Sequence, residues 1–159
     1  MGNDSLDFTI NTLGPCTIQS PIKLSSVQGD MTANYVSDDS YVINNVNVYD
    51  KTKPIILDST NLIEKAGPRE KIFFDPAHAK AGICTCGGLC PGLNDVIRAV
   101  VRCLNTRYGV KTVKGYQFGF HGFFAESGYE PIELDRYLID EIHKIGGTYL
   151  GTSRGGGQR

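Results

Sequence analysis

No stretch of about 18 apolar residues occurs in the 159-residue chain, so no membrane-crossing helix is expected. The opening "MGNDSLDFTINTLG" has neither a basic stretch nor an apolar core, and no secretory signal is expected. Met-Gly is a trace of an acylation signal, but Leu6 stands where Ser or Thr is wanted. An excess of one charge is also lacking. Sixteen Lys and Arg against 17 Asp and Glu leave a net charge of −1, too balanced for nucleic-acid binding. A second cysteine pair is missing as well. Cys84, Cys86 and Cys90 form C-x-C-x3-C with no further pair behind it, and His78, His121 and His143 are scattered. A closed zinc site wants four ligands, so no metal is expected, and the thiols are read as small packing residues. Five cysteines, an odd number without a secretory signal, point to free thiols in a reducing, cytoplasmic setting. Internal repeats and low-complexity tracts are absent too.

What is present is unevenly distributed. Fifteen of 19 glycines lie at or after Gly82. Residues 1–70 carry 5 Lys and Arg against 9 Asp and Glu, and residues 71–159 carry 11 against 8. The second part is mildly basic, which suits an anionic small molecule or ordinary surface variation. These shifts divide the chain into an irregular N-terminal extension, 1–70, and an α/β domain, 71–159. Within the extension, "YVINNVNVYD" alternates loosely around Val46 and Val48 and allows one strand. "EKAGPREK" at 64–71 has linker character, with Gly-Pro as breaker.

From Lys71 the pattern sharpens. "AGICTC" at 81–86 fits a strand buried on both faces. In "LNDVIRAVVRCLNTRYG", Leu93, Val96, Ile97, Val100, Val101 and Leu104 recur at helical spacing, and Gly109 is placed to cap the end. "VKTVKGY" at 110–116 predicts a second strand, "DRYLIDEIHKIGG" at 135–147 a helix, and "TYLGTS" at 148–153 a third strand. The alternation is that of the start of a Rossmann-like parallel sheet with flanking helices.

The glycines between the first strand and its helix carry the chemistry. In "CGGLCPGLN" a strand ends, the chain turns and a helix begins. Glycine lets a ligand approach the backbone, and exposed N–H groups at a helix start attract an anion. The stretch is not G-x-x-x-x-G-K-[ST], and with Leu89 at its second position it is not the dinucleotide fingerprint. A phosphate cradle and a plain βα turn both fit. A second glycine-rich loop, "LGTSRGGGQR", places Arg154 beyond the third strand. Ligands of open α/β sheets bind beyond the carboxyl ends of strands, so Gly88 and Arg154 are expected at one crevice. Arg98 and Arg102 share a helix face at i, i+4, and Arg136 lies in the next helix's first turn. The three frame either a second anion site or a solvated face.

Taken together, "KIFFDPAHAKAGI", "GICTCGGLCPGLNDVIRAVVR", "VKGYQFGFHGF" and "IGGTYLGTSRGG" resemble the start of a 6-phosphofructokinase, in the branch of plant, trypanosomatid and spirochaete enzymes. The resemblance covers about residues 70–157. It implies ATP as phosphoryl donor, with pyrophosphate as an alternative, fructose 6-phosphate as acceptor, Mg2+ in the full enzyme, and a homo-oligomer. It assigns Gly87 and Gly88 to the nucleotide phosphates, Arg154 and Gly155 to the phosphoryl donor, and Tyr116 to the neighbourhood of the nucleotide. It gives Arg98, Arg102 and Arg136 as positions that bind a phosphate effector in bacterial relatives. The family's base in a "TID" string and metal ligand in "GGDG" have no counterpart in the 159 residues. The expectation is therefore the nucleotide-binding portion of the enzyme, with no catalytic residue of its own and inactive alone. A non-catalytic phosphate-binding module remains the alternative.

Overall fold

The computed structural model describes residues 6–30, 32–47 and 50–154. Val48 and Gly155 lie outside them. The chain divides into two compact units, Met1–Phe73 and Phe74–Arg159.

The first unit holds short antiparallel pairs in otherwise irregular chain. β1 (Ile18–Gln19) pairs with β4 (Lys71–Ile72), and β2 (Tyr41–Ile43) pairs with β3 (Leu62–Glu64). The strand around "YVINN" is thus its first three residues, and Val46 lies beyond it, 80% exposed. The stretch 64–71 is no free linker. Lys65 N–H donates to Ser40 O at 2.9 Å, Pro68 O accepts from Val36 N–H at 2.8 Å, and Glu70 O accepts from Ser20 N–H at 2.8 Å. Arg69 binds Val36 O at 3.0 Å, Lys65 O at 2.7 Å and Glu64 Oε1 at 2.9 Å, and donates also to Ser37 O. A guanidinium presents five N–H donors in a fixed fork, and here one side chain gathers three backbone carbonyls of this strand-poor segment.

The second unit is built on a βαβ crossover. β5 (Lys80–Cys84) runs parallel to β6 (Thr112–Tyr116), joined through α1 (Leu93–Arg102). α1 continues as a π-helical turn, Cys103–Tyr108, and stops at Gly109 (φ 75°), the expected cap. β7 (Ile132–Glu133) adds antiparallel to β6, so the sheet is mixed, order β5-β6-β7. The register sets Ala81 beside Val113 and Ile83 beside Gly115. Successive side chains alternate in a strand, so these four share one face. That face carries the core: Ile97 and Val101 of α1, Val110, Val113, Leu134, Ile139, Ile142 and Leu150. The opposite face holds Gly82, Cys84 and Tyr116. There Lys80 and Gly82 are exposed, so β5 is half-buried, not buried on both sides. The expected stripe on α1 is likewise narrower. Ile97 and Val101 are buried, whereas Val96 is 59% exposed.

Gly115 makes the close packing possible. A Cβ there would stand 2.4 Å from Leu150 Cδ2 and 3.1 Å from Leu134 Cδ1. Only a residue without a side chain lets both leucines reach the sheet.

Two expected elements are shorter than their patterns. The helix over 135–147 is α2 (Arg136–Ile139) followed by a 3-10 turn, Ile142–Lys144. Asp135 caps α2, its carboxylate accepting from Leu138 N–H at 2.8 Å. Downstream, buried Asn94 of α1 holds the segment after the 3-10 turn. Its amide donates to Ile145 O at 2.8 Å and its Oδ1 accepts from Tyr149 N–H at 2.6 Å. The third strand over 148–153 does not form. Gly151 N–H returns to Thr148 O at 3.1 Å, and Gly151 sits at φ 67°, so the segment turns where a ladder would need extended chain.

Candidate functional site

Three segments meet beyond the carboxyl ends of β5 and β6: residues 85–88, residues 118–119 and residues 150–154. Thr85 follows β5, and its hydroxyl donates to Gly151 O at 2.6 Å and lies 2.9 Å from Thr148 Oγ1. Gly87 N–H donates to Ser153 O at 3.0 Å, and Gly87 O accepts from Thr152 Oγ1 at 2.8 Å. Ser153 Oγ in turn donates to Phe118 O at 2.7 Å, and Phe118 N–H donates to Leu150 O at 2.8 Å. Gly87 takes φ 89°, a left-handed conformation that costs a residue with a Cβ roughly 1–2 kcal/mol.

This junction carries the Arg154 side chain to the loop. A Cβ built on Gly88 would lie 3.5 Å from Arg154 Nη2. The segment 148–153 reaches the expected crevice as a turn pinned by hydroxyls. Gly88 and Arg154 are both exposed. Gly92 (φ 87°) then starts α1 with no side-chain cap, so the helix's first N–H groups have no cap partner. A guanidinium beside an exposed glycine backbone offers donors and positive charge to an anion, whereas the start of α1 carries the Asp95 carboxylate in its first turn.

Tyr116 ends β6 and pairs in register with Cys84. Its ring covers Gly82, where a Cβ would be 2.9 Å from Tyr116 Cε2, and stacks on Phe123 at 4.1 Å between centroids. It is a half-buried aromatic shelf beside the loop.

The arginines expected to form a second anion site are partly committed elsewhere. Arg98 Nη2 and Arg102 Nη2 lie 3.9 Å and 3.3 Å from Asp140 Oδ1. Arg136 is exposed at the first position of α2 and forms no hydrogen bond or ion pair among the described residues. One carboxylate thus shares two cations, and α1 is tied to the end of α2.

The thiols differ from their expected packing role. Cys86 and Cys90 are exposed and Cys84 is half-buried, its sulfur 3.8 Å from Cys86 Sγ. Among the described residues no group of three His, Cys, Asp or Glu could hold a metal ion.

The hydroxyls of Thr85, Thr152 and Ser153 were not resolvable as a set from the sequence. Thr152 follows a glycine, Ser153 precedes an arginine and Thr85 sits between two cysteines, and only the fold shows that they bridge residues more than 30 positions apart. Asn94 had a signal: it shares the i, i+3, i+7 face with Ile97 and Val101, a polar residue on an apolar stripe.

The phosphofructokinase family model matches residues 80–159, which is the βαβ unit with its junction. The chain belongs to the phosphofructokinase family. It is 43% identical over 158 residues to an ATP-dependent 6-phosphofructokinase of Borreliella burgdorferi, covering 97% of this chain and 34% of that protein. It is 53% identical over 94 residues to the chloroplastic ATP-dependent 6-phosphofructokinase 5 of Arabidopsis thaliana, covering 59% and 17%. With an ATP-dependent 6-phosphofructokinase of Trypanosoma cruzi it shares 47% over 94 residues, covering 59% and 19%. The chain spans about a third of the length of the Borreliella relative.

Proposed function

We propose that this phosphofructokinase chain holds the phosphoryl donor of an ATP-dependent 6-phosphofructokinase. That enzyme moves the γ-phosphoryl of ATP to the 1-hydroxyl of fructose 6-phosphate. The observation that carries the reading is the approach of Arg154 Nη2 to within 3.5 Å of the Cβ position of Gly88. A phosphate resting on Gly88 would meet the guanidinium. A charge-assisted hydrogen bond of this kind contributes about 1.5–3 kcal/mol. Tyr116 lies beside the same crevice for the nucleoside end. ATP is favoured over pyrophosphate because the relatives are ATP-dependent enzymes.

The site's donor set fits an anion and does not fit magnesium. Mg2+ takes oxygen ligands in a near-octahedral shell, usually from one or two carboxylates with water and phosphate. Gly88 and Arg154 offer N–H and guanidinium groups without a carboxylate, and the Gly87 N–H and the Thr152 and Ser153 hydroxyls already donate within the junction. Positioning and charge stabilisation of a loose phosphoryl group are what this junction supplies. The accepting sugar and its base require residues that these elements do not provide, so the 159 residues alone bind donor without turning it over.

Titration calorimetry with ATP and with pyrophosphate tests the reading. Saturable heat with ATP is expected, about tenfold or more weaker in Arg154→Ala. Gly88→Asp is expected to abolish it, because the new carboxylate would pair with Arg154 and repel phosphate. No heat from the folded wild type, or equal affinity in all three proteins, refutes donor binding. Formation of fructose 1,6-bisphosphate by the purified chain refutes the division of labour.

A further inference from the structure

We propose that Cys84 and Cys86 form a reversible dithiol–disulfide site at the root of the glycine loop. Cys84 is the last residue of β5, and its sulfur stands 3.8 Å from that of Cys86. Cys84 lies on the sheet face opposite the core, with Tyr116 across from it, and Cys86 follows two residues on, past the end of β5. A disulfide bond is about 2.05 Å long, so the 3.8 Å between the sulfurs must close by less than 2 Å. Cys86 is exposed and open to an oxidant, while Cys84 is half-buried. Burial first, then the hydrogen bond and charge of Cys86, hold the Cys84 thiol above its ordinary value. Cys86 is thus the attacking thiol and Cys84 the resolving one.

The step balances with a peroxide as oxidant. The Cys86 thiolate attacks one peroxide oxygen, the O–O bond breaks, and the departing oxygen leaves as water. Cys86 is then a sulfenic acid. The Cys84 sulfur displaces its hydroxyl, the S–S bond forms, and a second water leaves with the remaining thiol proton. The two sulfurs lose two electrons and the peroxide gains them. A small dithiol reverses the step by exchange.

The link to the donor site is mechanical. Thr85, between the cysteines, is held by its hydroxyl to Gly151 O at 2.6 Å, so the backbone there resists the pull. A Cβ on Gly119 would lie 3.0 Å from Cys86 Sγ and 3.2 Å from Ser153 Oγ, which places the Cys86 sulfur at the junction itself. Drawing Cys86 toward Cys84 therefore withdraws it from this contact and shifts Gly87, whose N–H and C=O bind Ser153 and Thr152. The consequence for ATP rests on the proposed donor site; the dithiol site itself does not.

Two readouts keep these apart. The reduced 159-residue chain is treated with hydrogen peroxide and its free thiols are blocked with a maleimide. It is then reduced, and the released thiols are labelled with iodoacetamide. Trypsin leaves Cys84, Cys86 and Cys90 on one peptide between Lys80 and Arg98, and fragmentation places each label. Iodoacetamide on Cys84 and Cys86, with maleimide on Cys90, is expected. A Cys86–Cys90 bridge, a disulfide-linked dimer, or over-oxidised Cys86 beside a free Cys84 overturns the proposal. In the second readout, oxidation weakens ATP binding about tenfold or more, a dithiol restores it, and Cys84→Ser and Cys86→Ser no longer respond. Binding that is unchanged in an oxidised chain with the mapped disulfide overturns the coupling alone. Absent binding in the reduced chain refutes the donor site alone.

Discussion

Gly115→Ala puts the central packing argument at risk. The added Cβ would lie 2.4 Å from Leu150 Cδ2 and 3.1 Å and 3.2 Å from the two methyls of Leu134. Ordinary carbon–carbon contacts are about 3.5–4.0 Å, so Leu150 must retreat by roughly 1.1–1.6 Å. Leu150 and Leu134 are each 1% exposed, so neither can retreat into solvent without leaving the core. Overpacking of this kind costs about 1–3 kcal/mol. With a urea slope of about 1–3 kcal/mol/M, the unfolding midpoint should fall by roughly 1 M. Hydrogen exchange of the Val113 and Gly115 amides resolves the second unit from the first, which bulk ellipticity cannot do. Leu150 also accepts from Phe118 N–H and leads directly into the segment that carries Arg154, so ATP affinity should fall as well. Leu150→Ala alone should cost about 2–5 kcal/mol by opening a cavity. The double variant removes the clash, so it should be more stable than the sum of the two losses by about 1–2 kcal/mol. Additive losses, or an unchanged midpoint for Gly115→Ala, refute the claim that this glycine exists to admit Leu150.

Three further outcomes follow from other contacts. Asn94→Ala leaves Ile145 O and Tyr149 N–H without their partner in a half-buried setting, and should lower stability by about 2–4 kcal/mol in urea unfolding; a loss below 1 kcal/mol contradicts the clamp. Asp140→Asn releases Arg98 and Arg102 from their shared carboxylate and should raise the affinity of inorganic phosphate for that face, read by phosphorus NMR; no change means these arginines form a solvated face only. In the first unit, hydrogen bonds from the Ser25 hydroxyl, then the Thr32 hydroxyl and N–H, lower the Asp30 carboxyl to about 2. Its folded value lies below the unfolded one, so its stabilisation is present above about pH 4 and is lost as pH falls toward 2. An NMR titration of the Asp30 carboxyl should show that low midpoint, and Ser25→Ala should move it upward.

What the sequence made legible was governed by range. The parallel pair, α1 and the Gly109 cap follow from apolar spacing and a glycine just past it, features set by neighbours within a few residues. The meeting of Gly88 with Arg154 was also legible, because strand ends in an open sheet gather loops on one side. The element that brings them together was not. "TYLGTS" has strand composition, and composition cannot reveal that Gly151 adopts φ 67° or that Thr85 waits 66 positions upstream to hold its carbonyl. The same limit hid the clamp beyond the 3-10 turn, where Asn94 donates to the carbonyl of residue 145 and accepts from the amide of residue 149. The cysteines are the instructive reversal. Their count argued for packing, yet two of the three near the loop are exposed and one pair of sulfurs stands 3.8 Å apart, because β5 ends at Cys84 on the face opposite the core and Cys86 and Cys90 follow in the exposed loop. Period-2 alternation sets Cys84 with Gly82 on one face of β5; it does not say which face is covered. That second fact depends on where α1 and Leu150 pack, and it is what turns a packing motif into a candidate redox site.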